Sequence, residues 1–357
     1  MKKLLALALA FVLLLPLAAC GGTPGTSSGG ESSPAPSAAP PAPTPAPEIK
    51  TYRVAMICDS YISDGGWGAA CYNAMLDAAA AYGWETDYID GVDPAAYYEA
   101  ILPFCEQGFD LIYAPGNQYT DAVLKAAEEY PDIAFALLNG GTDTPAQAAN
   151  SNVSSLLPNA TQIGWIAGAM AGLMTETGVI AFIGGMELAT TKEKYEAYKT
   201  AAAYVAEQAG KTAAALDIVY SNSFSAMDKG AEFAREMMEQ GADVFFGDAS
   251  AVDSGARQAI DEANAAAGSV KVYDIAQPSD ALGQNECIIT SQVTDNASLV
   301  ALSMDAVEAG TFGGEVIYGT LQNGTLSAGR ISELVPPEIQ TAYRDYLEQM
   351  TANKFMK

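Results

Sequence analysis

Histidine is absent from all 357 residues. That removes Ser-His and Cys-His nucleophile pairs and every His-ligated zinc site. Basic residues are scarce, 17 Lys and Arg against 43 Asp and Glu. Once the two lysines at the extreme N-terminus are removed, fifteen face 43, a net charge of −28. A chain this acidic lacks the basic patches that phosphate contacts need, so nucleic acid is excluded as a partner and a polyanionic ligand is disfavoured. Cysteine is sparse and scattered. After Cys20 only Cys58, Cys71, Cys105 and Cys287 remain, with no C-x-x-C pair, which argues against a metal cluster. Most lie in apolar runs, so buried free thiols are the default, with one or two disulfides as the alternative. Beyond the first twenty residues no apolar run is long enough to cross a bilayer.

What is present begins with an address. Lys2 and Lys3 precede an apolar stretch from Leu4 to Leu17, and small residues lead to Cys20. Charge, apolar core and small residues in that order form a secretory signal, residues 1–19. Leu17-Ala18-Ala19-Cys20 followed by Gly21-Gly22 resembles a bacterial lipobox. That resemblance implies cleavage before Cys20 and lipidation of its thiol and new amino group, anchoring the protein on the extracytoplasmic face of the membrane. Residues 20–50 then read as a tether. Positions 23–48 hold eight prolines with Thr, Ser, Gly and Ala, too little apolar surface to fold. Its Pro-rich half favours extended polyproline at roughly 3.1 Å per residue.

About 310 residues remain for the folded part, long for one core and suggestive of two lobes. Strand-like and helix-like segments alternate. Strands are expected at 53–58, 85–89, 110–114 and 133–138, with helices at 69–82, 94–107 and 120–129 between them. After a small-residue helix at 161–175 the pattern restarts, with strands at 179–183, 214–219, 243–246 and 271–275 and helices at 192–208, 228–240 and 253–266. Such alternation predicts an α/β fold of parallel sheets flanked by helices. Glu106-Gln107-Gly108-Phe109-Asp110 and Glu239-Gln240-Gly241-Ala242-Asp243 each end a helix and enter a buried strand, 133 residues apart. The echo suggests two similar lobes binding ligand in the cleft between them. The first lobe is expected over 51–157, with 283–318 returning to it. The second is expected over 158–282, completed by 319–357.

The stretch from Val54 to Met75 organises this plan. An apolar strand ends at Cys58, then a loop carries Asp59, Asp64, Gly65 and Gly66 to Trp67 at the start of a helix. In open α/β sheets such loops lie on the ligand crevice. An exposed aromatic face with a few polar groups suits a small-molecule site; packing of Trp67 on the core is the competing reading.

Several motifs together resemble the basic membrane protein family, the PnrA-like substrate-binding lipoproteins of ABC transporters for purine nucleosides. They are Ile62-Ser63-Asp64-Gly65-Gly66-Trp67, Phe109-Asp110-Leu111-Ile112, Asp121-Ala122-Val123, and Gly164-Trp165-Ile166-Ala167-Gly168 through Thr177-Gly178. The series continues with Gly184-Gly185-Met186, Ser223-Phe224, Asp228-Lys229-Gly230 and Glu239-Gln240-Gly241-Ala242-Asp243-Val244. The likeness covers about residues 52–330. It implies a two-lobed periplasmic-binding-protein-like fold of type I, a permease partner, no enzymatic activity and no cofactor. It also implies a purine sandwiched between Trp67 from one lobe and Tyr195 from the other, with Asp59 and Asn139 reading the base. Two positions depart from the family. The usual ribose-binding acid is replaced at Ala276 and the usual lysine at Thr294; either Asp248, Asp274 or Asp280 supplies a substitute carboxylate, or the pocket holds a free base, a different nucleoside or another flat polar compound. Asp64 and Asn117 complete the ligand candidates.

A sugar receptor of the same fold, with Arg257 and Arg330 reading hydroxyls, is the main alternative. A sensor domain without transport is another. A hydrolase using Asp59 with Asp64, or Asp248 with Asp253, has neither a nucleophile elbow nor a phosphate loop beside it.

Overall fold

A computed structural model describes residues 50–64 and 67–352. The signal, Cys20 and nearly all of the tether lie outside these residues. The first sheet is built from β1 (Arg53–Ile57), β2 (Glu85–Ile89), β3 (Leu111–Ala114), β4 (Ala134–Leu138) and β5 (Val153–Pro158). Between them run α1 (Trp67–Tyr82), α2 (Tyr97–Glu106), α3 (Thr120–Glu129) and the short α4 (Thr144–Gln147). After α5 (Ala160–Met174) the second sheet takes β6 (Val179–Gly184), β7 (Ala214–Ala215), β8 (Val219–Tyr220), β9 (Val244–Asp248), β10 (Tyr273–Ala276) and β11 (Ile288–Thr294). Its helices are α6 (Ala189–Gln208), α7 (Met227–Glu239) and α8 (Ala251–Ala267). The chain closes with α9 (Asn296–Glu308), β12 (Val316–Gly319), β13 (Leu326–Ala328) and α10 (Pro337–Thr351). Among the described residues no helix is long and apolar enough to cross a membrane.

The first sheet has strand order β12-β5-β4-β3-β1-β2 and the second β13-β11-β10-β9-β6-β7, with β8 also pairing β6. All pairings are parallel except β11 with β13. Helices cover both faces, so the central strands β1, β3, β4 and β9 are buried almost throughout and read as unbroken apolar runs. The edge strand β2 is exposed along its length. Each sheet therefore has two apolar cores, one per face.

The sequence echo is a structural repeat. Gly108 and Gly241 both have positive φ. Phe109 N–H donates to Phe104 O as Ala242 N–H does to Met237 O. Asp110 N–H donates to Arg53 O, and Asp243 N–H to Val179 O, at 2.9 and 3.1 Å. Both carboxylates also accept at the mouth of the neighbouring strand, Asp110 from Arg53 N–H and Asp243 from the Glu176 and Thr177 N–H groups. The strands β1-β3-β4 and β6-β9-β10 thus occupy matching places in their sheets.

Three regions differ from expectation. β5 was not anticipated, because Ser154 and Ser155 interrupt its apolar pattern although both are buried. The strand expected at 214–219 is two two-residue strands, β7 and β8. Residues 288–294, expected to return to the first lobe, form β11 of the second sheet instead. Their Thr290, Ser291 and Gln292 are fully buried beside β10. Only α9 and β12 go back to the first sheet. The chain consequently crosses between sheets three times, after β5, after β11 and after β12. Asn159 N–H donates to Gly319 O and Asp295 N–H to Thr325 O, tying the crossings together. Gln162 bridges them further, accepting from Leu321 N–H and donating to Gln322.

Among the described residues Cys58, Cys71, Cys105 and Cys287 are buried free thiols. Burial pushes Cys71 and Cys105 up to about 12, which leaves them protonated and unreactive.

Helices α5 and α6 meet along Gly164, Gly168 and Gly172, spaced one turn apart. A Cβ on Gly168 would stand 2.4 Å from Tyr198 O. Exchanging Gly for Ala inside a helix ordinarily gains roughly 0.5–1 kcal/mol. Here overpacking reverses the sign, and Gly168→Ala is expected to lose about 1–2 kcal/mol net. Urea unfolding measures it; an unchanged or higher midpoint refutes the close-contact account.

Candidate functional site

The carboxyl ends of the central strands gather the polar and aromatic groups expected of a binding site. At the first sheet, Asp59 lies two residues past the end of β1. Its carboxylate accepts from the Tyr97 hydroxyl at 2.9 Å, Gln118 Nε2 at 3.1 Å and the Ser60 hydroxyl at 3.2 Å, while its N–H donates to Tyr119 Oη at 2.8 Å. Burial pushes this carboxyl up, but the hydrogen bonds led by Tyr97 and Gln118 outweigh it and hold it below the usual range. Asp59 therefore stays ionised and offers acceptors only. A groove of about 650 Å³ runs beside it, bounded by Tyr97, Tyr98, Gln118 and Lys125.

Trp67 opens α1. Its indole N–H donates to Pro115 O at 2.9 Å in the loop after β3, and the residue remains 40% exposed. One edge of the ring is pinned while a large apolar surface meets solvent. Asn139 follows β4 with φ of 57° and is exposed. Asn117 lies in the turn after β3, also exposed, its carbonyl accepting from the Thr120 hydroxyl at 2.7 Å. Asp64 closes the short turn Ile62–Asp64 ahead of α1.

At the second sheet, β9 ends on Asp248. The Thr191 hydroxyl donates to it at 2.7 Å and Lys194 Nζ pairs with it at 2.8 Å. Thr191 and Lys194 are three residues apart on α6, which puts them on one helix face. Gln277, after β10, donates to Gly247 O and turns its amide toward Asp248 and Lys194. Phe224 is 44% exposed. Its ring covers Gly185 at the end of β6, so close that a Cβ there would meet it at 2.5 Å. Its carbonyl accepts from Ala251 N–H at the start of α8.

Two expected site residues are elsewhere. Tyr195 is 7% exposed, donates to Leu216 O at 3.0 Å and stands edge-on to Phe182. Thr191, Lys194, Tyr195 and Tyr198 form one stripe of α6; along it Thr191 and Lys194 meet Asp248 at the end of β9, while Tyr195 and Tyr198 pack in the core. Tyr195 is therefore a packing residue and cannot stack on a ligand. Asp274 lies two residues short of the end of β10, 4% exposed, bound to Arg257 Nε at 2.6 Å. The pair is interior, and neither member reaches a cleft. Arg330 is a surface residue paired with Asp280. The residues the sequence reading did not assign are Phe224, Thr191, Lys194, Gln277, Tyr97 and Gln118. Ser223-Phe224 stood among the family motifs, which was the available signal for the second aromatic.

Two sheets, parallel apart from the β11–β13 pair and joined by three crossings, with polar and aromatic groups at their carboxyl ends, define the class of periplasmic-binding-protein-like folds. Consistent with this, a transcriptional activator of the comK gene from Bacillus halodurans shares the fold, with a TM-score of 0.70 over 84% of this chain and 97% of that one at 20% identity. The pattern of the Bmp family, ABC transporter substrate-binding protein PnrA-like, matches residues 51–352, and the chain belongs to that family. The CD4+ T-cell-stimulating antigen of Listeria monocytogenes is 27% identical over 212 residues, 58% of this chain and 57% of that protein. The ABC transporter nucleoside-binding protein BmpA of Lactococcus lactis is 26% identical over 236 residues, 63% of this chain and 64% of that one. The chain thus spans rather more than half the length of these two relatives.

Proposed function

We propose that this protein is the lipid-anchored, extracytoplasmic receptor of an ABC importer, closing its two sheets on a purine nucleoside or a related flat polar compound. Cys20 is the anchor, and a membrane permease takes the ligand on. The observation that carries the reading is the presence of a part-exposed aromatic at the carboxyl end of each sheet, Trp67 against the loop after β3 and Phe224 against Gly185 after β6. Stacking between two rings suits a planar π-system and tolerates different bases. Asp59 and Asn139 supply acceptors and a donor for a heteroaromatic edge, while Asp248, Lys194 and Gln277 can meet hydroxyls. The name of the Lactococcus lactis relative supports the nucleoside. An anionic ligand fits poorly, since Lys194 already pairs with Asp248 and Asp59 remains charged. The sugar alternative loses its two arginines, one buried and one on the surface.

Calorimetry against purine nucleosides, free bases, pentoses and hexoses tests the proposal. Binding confined to nucleosides or bases is expected. Binding of sugars alone, or of nothing in the panel, would overturn it.

A further inference from the structure

Asp253 sits one turn into α8, directly behind the Asp248 loop, and is 6% exposed. One carboxylate oxygen accepts from Ala249 N–H at 2.9 Å. The other comes so near Gly247 that a Cβ there would meet it at 2.0 Å. The two residues flanking Asp248 are thus both in contact with one buried carboxylate. The loop needs such a hold, since Ser250 adopts φ 57° and ψ −117°, a conformation unfavourable for a residue with a Cβ. An ordinary helix cap is solvated; this one is enclosed. The charged groups facing it are Arg257 from its own helix, Asp274 from β10 and Asp248 from β9.

We propose that Asp253 is a positioning residue for the binding edge: its carboxylate holds the backbone on either side of Asp248 and so sets where the Asp248 carboxylate stands. The consequence for affinity rests on the reading that Asp248 meets the ligand. A charge-assisted hydrogen bond is roughly twice as strong as a neutral one, so the hold tightens when Asp253 ionises. Burial pushes this carboxyl up to about 7, against the opposing pull of Arg257 and of Ala249 N–H. The change of state therefore falls near neutral pH.

The test is a pH titration of the full chain by NMR without ligand, from about pH 5.5 to about 8.5. The Asp253 side-chain carboxyl carbon and the Ala249 amide are expected to move with one shared midpoint near 7. In Asp253→Asn the Gly247, Asp248 and Ala249 amides should stay still over that range. Separate midpoints in the wild type, or an Ala249 shift that persists in the variant, would overturn the inference, and the wild-type measurement stands even if the variant does not fold. A parallel arm measures purine nucleoside binding at pH 6 and pH 8. Affinity should fall about threefold or more toward pH 6 in the wild type and remain level in Asp253→Asn. Parallel pH profiles in the two proteins would likewise overturn the inference. Absence of nucleoside binding at both pH values would instead remove the ligand assignment and leave the coupled titration to decide the hold.

Discussion

Trp67→Ala and Phe224→Ala are each expected to weaken ligand binding at least tenfold, about 1.4 kcal/mol. Stacking a base on an aromatic is worth roughly 1–3 kcal/mol by truncation, so tenfold is the conservative end. Each ring is part exposed and part packed, Trp67 bonded to Pro115 O and Phe224 lying on Gly185, so a stability cost accompanies the loss of affinity and is measured separately. Phe in place of Trp67 should recover part of it, because a face remains while the indole bond to Pro115 O is lost. Tyr195→Phe is the control. It deletes a hydrogen bond inside the second core and should lower stability by about 1 kcal/mol with affinity unchanged. Calorimetry with the ligand found in the panel, beside a melting curve for each variant, separates these effects. Full affinity in both alanine variants would return the two rings to ordinary surface.

The largest stability effect is expected at Arg257. Its replacement by Ala leaves Asp274 buried with no cation, and breaking a buried pair from one side costs about 3–5 kcal/mol. Burial pushes the Asp274 carboxyl up even with Arg257 beside it. Without the guanidinium it would be driven further toward the neutral acid, which softens the loss but leaves a buried hydroxyl without its partner. Arg257→Met combined with Asp274→Leu removes both charges and should restore most of the stability. Denaturant unfolding of the two singles and the double completes the cycle. A single variant within about 1 kcal/mol of wild type would mean that water reaches the pair.

The alternation of elements was legible because helices on both faces force central strands to be apolar throughout, and the small-residue turns between them are hard to mistake. The repeat was legible from one pentapeptide because a helix end, a glycine and an acid that accepts from the next strand form a single local device. The places of Asp59 and Trp67, in the loop after the first strand and at the start of α1, were legible because strand, glycine turn and helix follow one another in the sequence. Tyr195 was placed at the ligand by family resemblance alone; its helical spacing with Tyr198 reads as a core position, and that is where it lies. Asp274 reads as a strand-end acid only until its partner, seventeen residues earlier on α8, comes into view. Phe224 stands in a serine-rich loop with no period, and only the closeness of Gly185 shows what it covers. A returning strand was expected within 283–318, but β11 was given to the wrong sheet, because a strand's own residues do not say which neighbour it pairs with.

The triple crossing also bears on how the protein is made. β12 lies beside β5, yet residues 159–315, including most of the second sheet, are synthesised between them. A nascent chain therefore carries β5 with one flank of backbone groups unpaired until its last stretch emerges, and such a flank recruits stray strands. Neither half is a continuous segment that could be cut out and expressed alone.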